Sequence, residues 1–493
     1  MGVSGLRATF APDFEQRFSV FKQRFMKKYI ISALAVAAVC ATAGAEGYQI
    51  NSLSAKQIGM GHTGVALKLG AESMFFNPAG LGFMDKTLDI SGSLTGIMPT
   101  ATATVDGKDY ETDNGISTPI GVHAAFSIYD NLKAGISFYT PYGSSINWTD
   151  NWPGAVLNQN VDLKVFTIQP TIAWAITPKL SVGAGAMISW GSVDLNKGLV
   201  TAATTDRTIQ ALTMLGQLPA GTPAFGNTTP ASVNLTGKAE MTVGFNVGAM
   251  YDITDRWTVG ASFRSRMPMK VKAGDASVKY ANALSQSLLS ESLDLLNEAN
   301  FKAEMPCPWV LGFGASYKPI DRLTLAFDAR LTGWRTYKQL DIEFLSEQLT
   351  DYDQHIEKKY KNSWCYSLGA EFAVTDRFDV RAGLMVDTSP VNKHYYNPET
   401  PGMTKVEPTV GLSFRPIPRL SIDFGFMYVA GLGADNTSCE YADLLGAQMT
   451  KRLTAAGMTQ QQIEALGFSP TGTFKADYKL HAFIPSLGVS YSF

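Results

Sequence analysis

The chain has few of the residues from which catalytic and metal sites are built. Five of its 493 residues are histidine and four are cysteine. None of them stands at metal-ligand spacing, and no CxxC pair, nucleophile elbow or paired catalytic motif occurs. We therefore predict no metal, no cofactor and no enzymatic activity.

Charge is also scarce. Charged residues make up 17% of the chain, against roughly 25% in ordinary soluble domains. The net charge of −2 gives no basic footprint for nucleic acid. This composition favours a chain with much of its surface out of water, or a large all-β protein.

Cysteine usage excludes a disulfide framework. Beyond Cys40 the chain contains Cys307, Cys365 and Cys439, which are widely scattered. They could form one bridge at most, and the sequence does not say which pair would form it.

Long apolar runs are missing beyond residue 45, so a membrane role would have to come from strands. Before that point, Lys27 and Lys28 precede an apolar run at 30–41 and a cleavage site ending at Ala45. This pattern predicts a signal peptide cleaved after Ala45, and hence export. Residues 1–25 do not fit a signal peptide, so either Met1 or Met26 is the true start.

Strand-like alternation recurs from about residue 87 to the end. In 323–334, for example, Leu325 and Phe327 fall on one face, and Asp328 and Arg330 fall on the other. Such a two-residue period indicates strands with one face in an apolar medium.

The connections between these strands alternate strictly between short turns and long loops. The long loops lie near 101–116, 144–162, 196–235, 273–303, 338–361, 387–405 and 431–474. Six short turns and seven loops predict about fourteen antiparallel strands in a transmembrane β-barrel. A soluble sandwich gives no reason for loop lengths to segregate by side. The last strand ends on Phe493, a terminal aromatic typical of substrates of the outer-membrane barrel assembly machinery.

Two long loops carry apolar residues at helical spacing. Leu212 and Leu215 lie in 206–216, and Leu284 and Leu288 lie in 276–299. These residues either pack the loops together or form a surface for an apolar ligand. In the last long loop, Thr459 and Gln462 predict a capping box for a helix that stops at Gly467.

Two further features each have two interpretations. Strand parity places Arg264 and Arg266 on the inner face, where they either pair with acids such as Asp328, Asp379 and Asp423 or receive a ligand carboxylate. Residues 59–64 match G-x-G-x-x-G, but an exported segment without a flanking strand and helix favours close backbone packing over dinucleotide binding.

Several short motifs follow one another along residues 46–493: Gly47-Tyr48-Gln49-Ile50-Asn51, Asn77-Pro78-Ala79, Pro141-Tyr142-Gly143, Leu180 to Gly185, Val243 to Gly248, and Asp387-Thr388-Ser389-Pro390. In the order of these motifs the chain resembles the FadL-type family of outer-membrane long-chain fatty acid and hydrocarbon transporters.

The resemblance implies three parts: an upstream extension and signal peptide at 1–45, an amino-terminal hatch at 46–85, and a fourteen-stranded barrel at 86–493. It places Asn77, Pro78 and Ala79 as a gate where the hatch meets a kink in the third strand. The lateral opening would be formed by Ser117, Thr140, Pro141 and Gly143. Substrate would first lodge in a groove between loops 196–235 and 273–303.

We therefore expect passive uptake of hydrophobic molecules, most simply long-chain fatty acids, across a Gram-negative outer membrane. The expected partners are that ligand, outer-membrane lipid with lipopolysaccharide, and the assembly machinery, for a monomer that binds no nucleic acid. The alternative is a general porin or an adhesin-like barrel with a static plug. The charged lumen also leaves aromatic hydrocarbons open as substrates.

Overall fold

The computed structural model describes residues 47–149 and 151–493. The predicted signal peptide lies outside these residues. Within them, no helix is long and apolar enough to cross a membrane.

Among the described residues, twenty-one strands form one antiparallel sheet. They are β1 (Leu88–Thr95), β2 (Met98–Val105), β3 (Lys108–Glu111), β4 (Ile120–Tyr129), β5 (Leu132–Asn147), β6 (Asn160–Thr177), β7 (Leu180–Gly198), β8 (Ala231–Asp252), β9 (Trp257–Arg264), β10 (Met267–Tyr280), β11 (Asn300–Cys307), β12 (Val310–Ile320), β13 (Leu323–Thr332), β14 (Gln339–Phe344), β15 (Gln354–Glu357), β16 (Ser363–Ala373), β17 (Phe378–Asp387), β18 (Lys405–Ile417), β19 (Leu420–Gly431), β20 (Ala434–Ala442) and β21 (Thr471–Ser492).

Fourteen of these strands close a ring. Its order is β1, β4, β5, β6, β7, β8, β9, β12, β13, β16, β17, β18, β19 and β21, and β21 pairs back onto β1. The other strands extend the ring on the side of the long loops. The predicted fourteen-stranded barrel is confirmed.

The helices are short and lie in the amino-terminal segment or the long loops. They are α1 (Ala55–Ile58), α2 (Ser73–Phe76), α3 (Ala202–Met214), α4 (Ala283–Leu293), α5 (Leu444–Ala455) and α6 (Gln460–Ala465), together with 3-10 turns at Gly70–Glu72, Pro78–Phe83, Asp294–Leu296, Trp334–Thr336, Glu347–Tyr352 and Lys393–Tyr395.

The two faces of the ring differ as the alternation predicted. On β13, the outward-facing Leu325 and Phe327 are 39% and 41% exposed, whereas Asp328, which faces the lumen, is 1% exposed. Large apolar side chains are exposed in this way all around the ring. An apolar outer band is the signature of strands that face lipid.

Loop helices differ from their predicted bounds. The capping box of Thr459 and Gln462 is present at α6. The helix predicted within 276–299 is shorter, because β10 continues to Tyr280 and Asn282 caps α4. Cys307, Cys365 and Cys439 are all buried, and none of the three forms a disulfide with another.

Candidate functional site

The hatch, described from residue 47 to 85, lies inside the ring and is hydrogen-bonded to many strands. The carboxylate of Asp328 on β13 accepts from the amides of Gly64 at 2.6 Å and Val65 at 3.0 Å. The carbonyl of Met74 accepts from Gln169 on β6 at 2.7 Å and Asn246 on β8 at 3.0 Å. These bonds tie the middle of the hatch to opposite parts of the wall.

Glycines let the hatch backbone approach the wall closely. A Cβ on Gly59 would lie 2.8 Å from the Cα of Gly411, and one on Gly61 would lie 2.5 Å from the carbonyl oxygen of Leu368. Gly61 also has a φ of +63°, a region that favours glycine. The 59–64 motif thus serves close backbone packing, as expected.

The Asn77-Pro78-Ala79 triplet lies away from the kink in the third strand. Asn77 donates to the carbonyls of Val65 at 2.7 Å and Ala249 on β8 at 3.1 Å, and its side chain caps Ala79. The Pro78 backbone packs against Gly183 on β7. The expectation that this triplet meets the kink is therefore wrong. The side-chain amide of Asn77 anchors it to β8, three strands along the ring from β5.

The kink itself falls in β5 where it was expected. The pairing of β5 with β6 shifts register between Tyr139 and Tyr142, and the pairing with β4 ends at Tyr139. Pro141 has no amide proton, which favours such a break.

A different part of the hatch covers the freed edge of β5. The amide of Ile50 donates to Pro141 at 2.9 Å, and the amide of Gly143 donates to Tyr48 at 2.8 Å. Gln49 and Tyr142 thereby form an antiparallel bridge. Residues 48–50 act as a short strand added to the kink.

Ser117 and Thr140 lie on the two sides of the stretch, called the gap below, where β4 and β5 no longer pair. Ser117 pairs with Ile97 through two backbone hydrogen bonds of 2.7 and 2.9 Å, which hold it to β2's side of the gap. The hydroxyl of Thr140 accepts from the amide of Ile120 at 3.3 Å, at the lower end of the gap. At the upper end, Asn147 bonds to Asp113.

Aromatic rings surround the start of the hatch. The ring of Tyr48, which is fully buried, lies 4.9 Å from Trp334, 5.9 Å from Tyr337 and 6.1 Å from Tyr142. Its hydroxyl donates to the carbonyl of Pro306. Sequence reasoning gave Tyr48 no role, although it noted the Gly47 to Asn51 motif.

An apolar cavity lies in the barrel beyond the kink. It contains about 750 Å³ of empty space, part of it open to solvent. Apolar side chains from several strands line most of it, among them Leu163, Val165, Val193, Met269, Val271 and Phe301. Ser144 lies on the side of the kink, and Glu399 and Thr400 add polar groups. Lys164 adjoins the cavity through β6, but its side chain pairs with Asp162 on the outer face of that strand. The cavity suits an apolar ligand.

The structure places Arg264 and Arg266 differently from their predicted shared face. Arg264 is buried and donates to the carbonyl of Phe75 in the hatch at 2.8 Å. Arg266 points outward and pairs with Glu304 at 3.2 Å. The strand is interrupted between β9, which ends at Arg264, and β10, which begins at Met267. Beyond this interruption the side chains of Met267 and Met269 face inward, and the cationic side chains between and beside them face outward. Neither arginine lines the cavity.

The acids proposed as partners of these arginines have other contacts. Asp379 bonds to Arg415 at 2.6 Å, and Arg381 lies 3.5 Å from Asp423. Asp328 holds the hatch amides. The interpretation that the two arginines pair with these aspartates is therefore wrong.

The four loop leucines do not line the cavity either. Leu215 is 70% exposed, and Leu212 is half-buried. Helix α3 packs against α5 in the last long loop, where Thr204 donates to Asp443 at 2.5 Å. Leu284 and Leu288 are half-buried on α4. The long 431–474 loop therefore packs against the 196–235 loop.

Within the described ranges, no group of three or more His, Cys, Asp or Glu side chains could hold a metal ion. The candidate site consists of the gap between β4 and β5, the hatch residues 48–50 that cover it, and the apolar cavity.

Comparison with known proteins gives a consistent picture. The family model described as "Outer membrane protein transport protein (OMPP1/FadL/TodX)" matches residues 35–493. Outer membrane protein P1 of Haemophilus influenzae is 22% identical over 433 residues, which cover 82% of this chain and 91% of the relative. The long-chain fatty acid transport protein of Escherichia coli K12 is 20% identical over 423 residues, 81% and 91% of the two chains.

Solved structures show the same fold. A Pseudomonas aeruginosa FadL homologue superposes with a TM-score of 0.71 at 19% identity, covering 91% of this chain and all of the other. The Pseudomonas putida toluene transporter TodX superposes with a TM-score of 0.63 at 14% identity, with 91% and 100% coverage.

Proposed function

Because this chain belongs to the OMPP1/FadL/TodX family of outer-membrane transport proteins, and so is a Gram-negative outer-membrane channel for hydrophobic compounds and no enzyme, we propose that it takes up long-chain fatty acids. The observation that carries this proposal is the apolar cavity beside the kink in β5. Apolar side chains from β6, β7, β8, β10, β11 and β14 line it. A lining of this kind suits an apolar chain.

The polar groups of the cavity lining are few. Glu399 is already paired with buried Lys358. Lys164 pairs with Asp162 at 2.8 Å on the outer face of β6, opposite to Leu163 and Val165. We therefore propose that the apolar lining holds the chain of the ligand, and we assign its carboxylate to no cation, neither Lys164 nor Arg264 and Arg266.

The route out of the cavity runs through the gap between β4 and β5. Ser144 places the kink at the cavity wall, and residues 48–50 cover the gap from inside. Two backbone hydrogen bonds hold this cover, to Pro141 and from Gly143. We propose that their release opens the gap between Ser117 and Thr140 and lets substrate pass sideways into the bilayer without an energy source. The gate is then Tyr48 to Ile50, whereas Asn77, Pro78 and Ala79 anchor the hatch.

The test is a reversible lock. Gln49 and Tyr142 face each other as a non-hydrogen-bonded antiparallel pair, the closest type of pair in a sheet. Gln49→Cys/Tyr142→Cys should form a disulfide that fixes the cover. In cells that depend on this chain, uptake of labelled oleate should be lost when the pair is oxidised and should return on reduction.

The single variants Gln49→Cys and Tyr142→Cys serve as controls for mispairing with native Cys307 and for loss of the Tyr142 ring. Uptake that is equal in the locked and reduced proteins would refute the lateral route. Ion conductance through the wild-type barrel would instead favour the porin alternative. Faster uptake of toluene than of oleate would favour aromatic hydrocarbons, as the name of the Pseudomonas putida relative suggests.

We further propose that the barrel is a monomer surrounded by lipid and lipopolysaccharide, and that the assembly machinery recognises its carboxyl end. Phe493 is 56% exposed, and its amide donates to Leu88 at 2.7 Å where the ring closes. Deletion of Phe493 should lower the amount of folded protein in the outer membrane.

A further inference from the structure

The wall has a second break, on the far side of the cavity from the kink. Pairing of β8 with β9 ends at Asn246 and Arg264, and pairing of β8 with β10 begins at Thr236 and Asp275. Ser265 adds one backbone hydrogen bond to Phe245. Between these points, residues 237–244 and 266–274 have no registered pairing with each other among the described strands. We call these two stretches the β8–β10 seam.

Irregular backbone on both sides maintains the seam. On β8, the register with β7 shifts between Ser189 and Gly191, which bulges the stretch around Glu240. On the other side, residues 267–271 pair with β11 instead, and the register shifts again before Gly274. Bulges commonly end pairing and re-aim side chains.

Side chains pack across the seam. On the inside, the Val271 side chain packs against Gly237 and that of Met267 packs against Gly244. On the outside, Lys272 reaches across to Glu240 at 2.7 Å, and both side chains are well exposed. An exposed ion pair contributes little to stability, and methionine side chains rearrange easily.

The seam connects two apolar regions. Inside, the apolar cavity is lined by Leu235 and Ala239 from one edge and by Met269 and Val271 from the other. Outside, Met241 and Val243 are each 68% exposed, so this part of the wall faces lipid. Just above them the outer face becomes charged at Glu240. The seam therefore crosses the boundary between lipid and water.

We infer that the β8–β10 seam is a second lateral portal, through which single-chain anionic amphiphiles dissolved in the outer leaflet enter the apolar cavity. The inference rests on the proposed function, because it assumes that the cavity receives such molecules. Four cations flank the outer face of the seam: Lys238, Arg266, Lys270 and Lys272. Two acids, Glu240 and Glu304, partner three of them. The excess of positive charge at the boundary suits an anionic headgroup whose chain lies in the membrane.

The first test closes the seam reversibly. A Cβ on Gly237 would lie 3.5 Å from that of Val271, within the roughly 3.5–4.5 Å of a disulfide. Cells carrying Gly237→Cys/Val271→Cys should lose oleate uptake when oxidised and regain it on reduction. A matched pair, Val233→Cys/Val278→Cys, crosslinks the same two strands where they are already paired and should leave uptake unchanged in both states.

Comparison with the kink lock separates the two proposals. If the kink lock abolishes uptake and a complete seam crosslink does not, the second portal is wrong and the proposed function stands. If neither lock changes uptake, both fail.

A second variant does not depend on disulfide formation. Lys238→Glu/Lys270→Glu changes two exposed side chains and should raise the oleate concentration needed for half-maximal uptake. Uptake of a neutral alkane should not change, since it has no headgroup to attract. An equal effect on both compounds, or on neither, would overturn the inference.

Discussion

The guanidinium of Arg264 lies 4.4 Å from the ring centre of Phe75 and donates a 2.8 Å hydrogen bond to the carbonyl of the same residue. A wall strand thus holds one hatch residue by both its side chain and its backbone. Because Phe75 directly precedes Phe76 and the Asn77 anchor, this contact fixes the middle of the hatch.

Arg264→Ala should loosen the hatch. A hydrogen bond from a charged donor contributes about 1.5–3 kcal/mol, and the stacked ring adds to it. We expect earlier thermal unfolding in detergent and faster amide exchange at Phe75. Arg266→Ala removes only the exposed pair with Glu304 and should change stability little. Equal effects of the two variants would show that Arg264 has no special role.

Gly61→Ala tests the close packing of hatch and wall. Its φ of +63° costs a side chain roughly 1–2 kcal/mol, and the new methyl group would collide with the backbone of Leu368. Gly216→Ala has a similar φ of +72° but open space around it, so it should show only the conformational cost. Calorimetry of both variants separates the collision from the strain. Equal losses would mean that the hatch can move away from β16.

His355 supplies a pH-dependent contact in the loops. Its hydrogen bond to Asp341, at 2.6 Å between Nδ1 and the carboxylate, raises the pKa of His355 above its ordinary value. Since the folded pKa is raised, the pair stabilises the β14–β15 hairpin below the ordinary histidine pKa, and this contribution is lost as the pH rises through the raised pKa. Titration followed by NMR should show the raised pKa, and Asp341→Asn should return it towards normal. An unchanged pKa in that variant would exclude the contact.

Local patterns were sufficient to predict the ring. Turn residues such as Thr375-Asp376-Arg377 and the alternation on β13 each act within a few residues, so the strand count and the side of each loop follow from sequence. The same holds for the capping box at Thr459.

Positions that depend on long-range pairing were not predictable in this way. The prediction that Arg264 and Arg266 share the inner face was wrong, because the interruption between β9 and β10 reverses which face each later side chain occupies. Likewise, the hatch contacts the kink through Tyr48 to Ile50 and not through Asn77. The sequence did not predict this contact, because residues that meet from more than ninety positions apart leave no periodic pattern in the sequence.

The contacts of Gly61 and Gly64 also have a consequence for folding. Gly61 donates to Thr409, 348 residues away, and Gly64 donates to Asp328, 264 residues away. Contacts so distant in sequence slow folding, because a long loop must close before they form. The hatch can form these contacts with the wall only once the carboxyl-terminal half of the wall has been synthesised. Docking of the hatch is therefore a late step of folding, although the hatch comes first among the described residues.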